Sequence, residues 1–390
     1  MLTSLALVFL FGMILGWFFQ KLRLPALLGM LITGILLGPY TLNLLDGNIL
    51  SISADLRRLA LIIILTRAGL SLDINDLKRV GRPAILMCFL PASFEIAGML
   101  VIAPALLGVS VIEAAVMGTV IAAVSPAVVV PRMLRLMETG HGSAKSIPQM
   151  IMAGASVDDV FVIVIFTAAV GLAGGEGISA ATLLQIPVSI LSGIVVGIAG
   201  GVALGKFFVS VHIRDSSKVV ILLSLSFLLV ALEEVSPVPF SGLLAVMGIG
   251  ASIQRKNPLL AVRLSGKYSK LWVGAEILLF VLVGATVDLQ YAVASGVPAI
   301  AVIFVALVFR MAGVWSCMIK TALSVRERLF CMLAYTPKAT VQAAIGSIPL
   351  AMGLPCGDIV LTVAVLSILI TAPLGALGID ASHDRLLTSP

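Results

Sequence analysis

Apolar stretches of about twenty residues recur along the whole chain, separated by short connections that carry most of its charge. A helix needs about that length to cross the hydrocarbon layer of a bilayer. The composition agrees. Of 390 residues, 60% are hydrophobic and only 11% are charged, against about 25% charged in ordinary soluble domains. Mean hydropathy is +1.18. A water-soluble enzyme is excluded, and so is a porin-like barrel, whose strands alternate apolar and polar residues. The expected fold is all-α and polytopic. Thirteen transmembrane segments are predicted, over about 2–19, 24–38, 56–72, 83–107, 111–134, 147–173, 180–208, 217–233, 239–253, 268–287, 296–322, 327–351 and 358–378. The first has no basic leader and no small-residue cleavage site, which reads as a retained span.

The basic residues sort themselves by connection. Twenty of the 25 fall in connections after odd-numbered segments or in the tail, and two more are Arg57 and Arg58. By the positive-inside rule this predicts an N-terminus outside and a C-terminus in the cytoplasm. The net charge of +6 therefore reports topology rather than nucleic-acid binding. Cys88, Cys317, Cys331 and Cys356 are scattered without a C-x-x-C, so neither a disulfide framework nor cysteine metal ligation is expected. His141, His212 and His383 lie in connections or the tail, so no histidine relay crosses the membrane.

Two stretches match at an offset of 215 residues. Gly69 pairs with Gly284, Asp73 with Asp288, Gly81 with Gly296 and Pro83-Ala84-Ile85 with Pro298-Ala299-Ile300. Phe94 pairs with Phe309 and Gly98 with Gly313. Segment 3 thus corresponds to segment 10. Seven steps separate them, so the copies run in opposite directions. Inverted repeats of this kind mark secondary transporters. The expected organisation is repeat 1 at about 1–175 (segments 1–6), a linker helix at about 178–210 and repeat 2 at about 215–390 (segments 8–13). The ion-binding part would come from about 83–173 and 296–378. Continuing the alignment sets Ser125-Pro126 against Thr336-Pro337. These are paired prolines inside apolar segments, where broken helices that cross would build a site.

Three basic residues remain inside spans: Arg67, Arg310 and Lys338. The acidic residues well inside are Glu95, Asp158, Asp159 and Glu276. An isolated charge at mid-bilayer costs at least ~2.5–3.5 kcal/mol, so these groups must pair or line a wet cavity. Adjacent helical residues diverge by about 100°, so Asp158 and Asp159 face different neighbours. Glu95 and Arg310 hold equivalent repeat positions, and Lys338 follows Pro337 directly. Arg67 and Glu276 fall near the inner ends of segments 3 and 10 and read as a structural pair, with a gate role as the sharper option. Glu95, Asp158 and Asp159 against Arg310 and Lys338 leave one uncompensated carboxylate. In low dielectric it must hold a cation or a proton. Competition for it gives exchange of one cation for one proton, expected to be electroneutral, with Arg310 a fixed counter-charge.

At these residues the sequence resembles the cation–proton antiporter superfamily of the NhaA/NapA-type fold, and most of all the NHA-type sodium/proton exchangers. The strings that carry the likeness are LPALLGMLITGILLGP (24–39), TRAGLSLD (66–73), SPAVVVP (125–131), GASVDDV (154–160) and TPKATVQAAIG (336–346). The resemblance implies thirteen helices, crossed broken helices, a homodimer and a core domain that moves past a fixed dimerisation domain. It implies that Asp159 is the essential cation- and proton-binding carboxylate, with Asp158 its partner, tied to the basic residue at position 310. It implies a Glu95–Lys338 pair, and Ser125, Pro126, Ala127 and Thr340 beside the site. The implied activity is Na⁺(Li⁺)/H⁺ exchange, with Asp158 and Asp159 as oxygen ligands for the hard Na⁺ ion. The transported ions and the lipid bilayer would be its partners, with no cofactor, no enzymatic activity and no nucleic acid. The compact form suggests a bacterial inner membrane. K⁺/H⁺ exchange and a sodium-coupled symporter of the same fold are the alternatives. An intramembrane aspartyl protease needs carboxylates on facing helices, and a channel needs a filter; neither pattern is present.

Overall fold

The computed structural model describes residues 1–72, 80–174, 180–211, 213–236, 240–288, 290–291 and 296–388. Asp73, Lys78, Arg79 and His212 lie outside the described residues. The described backbone is helical: α1 (Leu2–Lys21), α2 (Ala26–Leu37), α3 (Gly47–Ser51), α4 (Ser53–Ser71), α5 (Arg82–Met87), α6 (Leu90–Leu107), α7 (Val111–Ile121), α8 (Pro126–Glu138), α9 (Ile147–Gly174), α10 (Ala180–Ser210), α11 (Asp215–Val235), α12 (Gly242–Lys256), α13 (Pro258–Ala285), α14 (Gly296–Cys317), α15 (Val325–Ala334), α16 (Thr340–Ile345), α17 (Ile348–Ala351) and α18 (Gly357–Leu386). Among the described residues, nine stretches are long and apolar enough to cross a membrane. Large apolar side chains such as Leu191, Val195, Leu228 and Val262 are exposed on these helices, which suits a lipid solvent rather than water.

Two boundaries differ from expectation for one reason. Helix α13 starts at Pro258, ten residues before the expected 268, and α18 runs on to Leu386 rather than ending near 378. In both, charged residues that read as connection continue the helix. Arg263, Lys267 and Lys270 are exposed on one face of α13 while Leu260, Leu264 and Tyr268 are buried on the other, an amphipathic pattern that apolar-run counting misses. His383 accordingly lies in a helix, not in a loose tail.

The chain divides into two compact units. Unit 1 comprises Met1–Ala54, Asn75–Gly174 and Phe280–Pro390; unit 2 comprises Asp55–Ile74 and Gly175–Leu279.

In unit 1, α6 packs along α14 through glycines. A Cβ on Gly98 would fall 2.6 Å from the Phe309 ring, and one on Gly313 would fall 2.8 Å from Pro91 Cα and 3.1 Å from Phe94 Cβ. The contact is reciprocal, because Gly98 and Phe94 are the repeat equivalents of Gly313 and Phe309. Glycines meet backbone in the same way inside each unit. In unit 1, Gly284 meets the backbone of Leu31 and Gly34; in unit 2, Gly69 meets that of Met247 and Gly250.

Prolines break the helices of unit 1, and each frees a carbonyl four residues upstream. Pro91 separates α5 from α6 and releases Met87 O, which accepts from the Tyr335 hydroxyl at 3.2 Å. Pro126 opens α8, and Ala122 O accepts from Arg310. Pro337 follows α15, and Leu333 O accepts from the Thr336 hydroxyl at 2.8 Å. Met87, Val124, Ala155, Phe330 and Tyr335 fill one buried cluster around these breaks.

Candidate functional site

The interruption between α7 and α8 meets the interruption between α15 and α16. Ser125 N donates to Pro337 O at 2.8 Å. Gln342 Nε2 donates to Ile121 O at 3.3 Å and Ala123 O at 2.9 Å, while its Oε1 accepts from Ala339 N at 2.8 Å. Lys338 N donates to Thr371 Oγ1 at 2.9 Å. The backbone groups that two unwound segments release are thereby bonded across the crossing, as a buried backbone requires.

Arg310, fully buried on α14, ties the crossing to the charges. Its Nε donates to Tyr335 O at 2.6 Å and its Nη1 to Ala122 O. Those carbonyls cap the C-terminal ends of α15 and α7, where the helix dipole favours a cation. The same guanidinium pairs with Glu95 Oε2 at 2.9 Å and Asp158 Oδ2 at 2.9 Å. Lys338 Nζ reaches Glu95 Oε2 at 2.6 Å. Asp158 Oδ2 also accepts from Val124 N at 2.8 Å. Only a planar fork with five donors can serve four acceptors in this way. Glu95, Asp158, Arg310 and Lys338 are all buried, and two negative charges meet two positive ones.

Asp159 stands apart from this net. Among the described residues it makes no hydrogen bond or ion pair, and its Oδ1 is buried without a partner. Its surroundings supply two charges, the repelling Asp158 and the attracting Arg310. Further acceptor atoms without hydrogen-bond partners belong to the same cluster: Glu95 Oε1, Asp158 Oδ1 and Ser125 Oγ. Carboxylate and hydroxyl oxygens of this kind are the donor set that a hard monovalent cation takes.

Of the residues singled out from the sequence, the structure brings together Glu95, Asp158, Arg310 and Lys338, with Asp159 adjoining. Ser125 holds the N-cap position of α8 and is buried, Pro126 is the first residue of α8, and Thr340 opens α16 and is buried. Ala127, the second residue of α8, is exposed. Arg67 and Glu276 are half-buried in unit 2, where the charge of Arg67 acts on Glu276. Among the described residues they form no ion pair. Sequence reasoning missed Gln342, Tyr335 and Thr371. Gln342 had a visible signal, being an amide within the apolar run after Pro337; the other two had none.

Residues 6–381 match the family described as "Sodium/hydrogen exchanger, transmembrane". The chain belongs to the sodium/hydrogen exchanger family. Human sodium/hydrogen exchanger 9B2 is 34% identical over 389 residues, covering 93% of this chain and 70% of the relative. Human sodium/hydrogen exchanger 9B1 is 30% identical over 410 residues, covering 99% and 78%. Among solved structures, the sodium proton antiporter MjNhaP1 from Methanocaldococcus jannaschii superposes with a TM-score of 0.85 over 99% of this chain and 98% of that one, at 20% identity. The exchanger fold is therefore shared at low sequence identity, and the protein is a multi-pass membrane protein.

Proposed function

We infer that this exchanger is a secondary active antiporter that trades Na⁺ or Li⁺ for H⁺ at Asp159. One observation carries the reading: four buried charges close on one another and cancel, while among the described residues the adjacent carboxylate has no counter-charge in bonding distance. A carboxylate so isolated holds a cation or a proton, not both. Each turnover loads Na⁺ on Asp159 as a proton leaves, and the reverse on the other side. Asp158 and Ser125 supply further oxygens, while Pro126, Ala127 and Thr340 shape the crossing. Because only Asp159 changes its load, exchange is one for one and electroneutral. Competition also means that the apparent KM for Na⁺ rises as pH falls.

The reading extends to the whole chain. Thirteen spans form two inverted repeats, a view supported by the reciprocal glycine contacts of α6 with α14. The twenty basic residues in odd connections and the tail face the cytoplasm of a cell inner membrane, with the N-terminus outside. Two copies form a homodimer, and the core carries the site past a fixed domain. Arg67 and Glu276 act as a pair near the inner gate.

The decisive experiment is reconstitution in liposomes with an internal pH dye. Addition of Na⁺ or Li⁺ should move internal pH and K⁺ should not. A response to K⁺ alone would replace the sodium reading, and no response to any cation would refute antiport. An imposed membrane potential should leave the proton flux unchanged.

A further inference from the structure

Away from the ion site, His141, His383 and Asp384 converge. His141 lies in the turn after α8, and the other two lie in the last turns of α18. His141 Nε2 is 3.4 Å and His383 Nε2 3.3 Å from the same atom, Asp384 Oδ1. The ring centroids are 5.3 Å apart, edge to face.

The hydrogen bonds on the far side of each ring decide what faces Asp384. His383 Nδ1 contacts Asp380 O at 3.0 Å. A carbonyl can only accept, so Nδ1 carries the hydrogen. His141 Nδ1 contacts Thr139 Oγ1 at 2.9 Å. That hydroxyl donates its one proton to Arg135 O at 3.0 Å, so it accepts from His141 Nδ1–H. In a neutral ring the second nitrogen then presents a lone pair. Two imidazole lone pairs and a carboxylate oxygen therefore point at one another with no hydrogen between them. Only positive charge resolves three converging acceptors.

We propose that His141 Nε2, His383 Nε2 and Asp384 Oδ1 form a binding site for a divalent transition-metal cation of the zinc class. A tetrahedral zinc with bonds of about 2.0–2.1 Å holds its ligand atoms about 3.3–3.4 Å apart, which matches the two separations from Asp384 Oδ1, and all three ligand atoms lie within 4.8 Å of one another. Orientation of each ring through its Nδ1–H by an oxygen is the usual support of a metal-bound histidine. The fourth position faces solvent, since Asp384 is 73% exposed. The ion would clasp the α8–α9 turn to the end of α18, where Gly142 N already donates to Thr388 O at 3.1 Å and Arg132 pairs with Asp380 at 3.2 Å. All of these groups belong to unit 1, so the clasp stiffens that unit.

The test uses the full chain, purified without a histidine tag, stripped with chelator and titrated with Zn²⁺ by calorimetry. The four cysteines are buried and do not compete. One saturable site per chain is expected, and Co²⁺ in its place should give the visible bands of a tetrahedral complex. His141→Ala and Asp384→Asn should each weaken Zn²⁺ at least tenfold. Thr139→Val keeps all three ligands and should weaken it about tenfold through lost orientation. Sodium-dependent exchange by the variants in liposomes certifies that they are folded. Absence of a saturable site in the wild type, or binding unchanged in the folded His141→Ala, His383→Ala double variant, would overturn the site.

Discussion

The crossing of the broken helices in unit 1 and the contact between α10 and α12 in unit 2 both bring two helical segments unusually close, and they do so with opposite chemistry. On α10, Gly193, Gly197 and Gly201 recur every four residues. A Cβ there would fall 2.6 Å from Ser241 O, 2.7 Å from Ala245 O and 2.5 Å from Ser252 Cβ. This is small-residue packing, backbone against backbone, with no charge involved. At the crossing, closeness is achieved by unwinding the helices and bonding the freed groups to Arg310, Gln342 and Tyr335. Among the described residues, the first kind of contact leaves no side-chain polar atom of α10 or α12 buried without a partner. The second leaves Asp159 Oδ1, Asp158 Oδ1 and Ser125 Oγ without hydrogen bonds. Ion chemistry belongs where polar groups are needed to bond unwound backbones together, because only there can one of them be left over.

If that contrast is right, the two regions should fail differently. The largest effect is expected from Asp159→Asn. The amide keeps the volume and loses the negative charge, so Na⁺-driven pH change in liposomes should fall to the level of empty vesicles. Unfolding should change little, because among the described residues Asp159 makes no hydrogen bond or ion pair. Retained exchange would remove Asp159 from the site.

Arg310→Ala should come next, and here stability moves first. Removing one member of a buried ion-pair net costs about 3–5 kcal/mol. Glu95 would keep Lys338, but Asp158 would keep only Val124 N, and two carbonyls would lose their donor. The four buried cysteines report unfolding to a thiol-reactive dye, so a lower Tm is directly readable. Arg310→Lys should lie between, since an ammonium cannot span Tyr335 O, Ala122 O, Glu95 and Asp158 at once.

Gly197→Leu carries the test to the uncharged region. Its side chain would press on Ala245 backbone, and overpacking of this kind costs about 1–3 kcal/mol. Tm should fall, while the apparent KM for Na⁺ and its pH dependence stay as they were. A changed KM would mean that the two regions are not separable in the way their chemistry suggests.

The charged net was legible before any coordinates because charge is so rare here. Glu95, Asp158, Arg310 and Lys338 had to find one another, and the 215-residue offset already set Glu95 opposite Arg310. The uncompensated charge was also countable; the resemblance pointed to Asp159, and the net that closes on Asp158 supports that reading. The neutral members were not legible. Gln342, Tyr335 and Thr371 bond to backbone groups that become free partners only where the helices break or unwind, around Pro91, Pro126 and Pro337. The Gly193–Gly197–Gly201 stripe is plain in the sequence, but which helix it meets depends on tertiary packing. Arg67 and Glu276 illustrate the converse: the charge of one acts on the other, yet among the described residues the two do not close into an ion pair.

The smallest effect is expected where the two kinds of contact meet, at Tyr335. Its ring packs close to Gly154, where a Cβ would fall 2.3 Å from the phenolic oxygen, and its hydroxyl serves the Met87 carbonyl freed by Pro91. Tyr335→Phe removes only the hydroxyl. One hydrogen bond is worth about 0.5–1.5 kcal/mol net, and the orphaned carbonyl adds to the loss. Arg310 keeps its bond to the Tyr335 backbone oxygen, which the substitution does not touch, so the charged net should stay closed. A modest fall in Tm with unchanged Na⁺ affinity is the expected result. A large loss of exchange would instead mean that the hydroxyl holds α5 and α15 in the register that the ion site needs, and that the breaks at Pro91 and Pro337 work as one element.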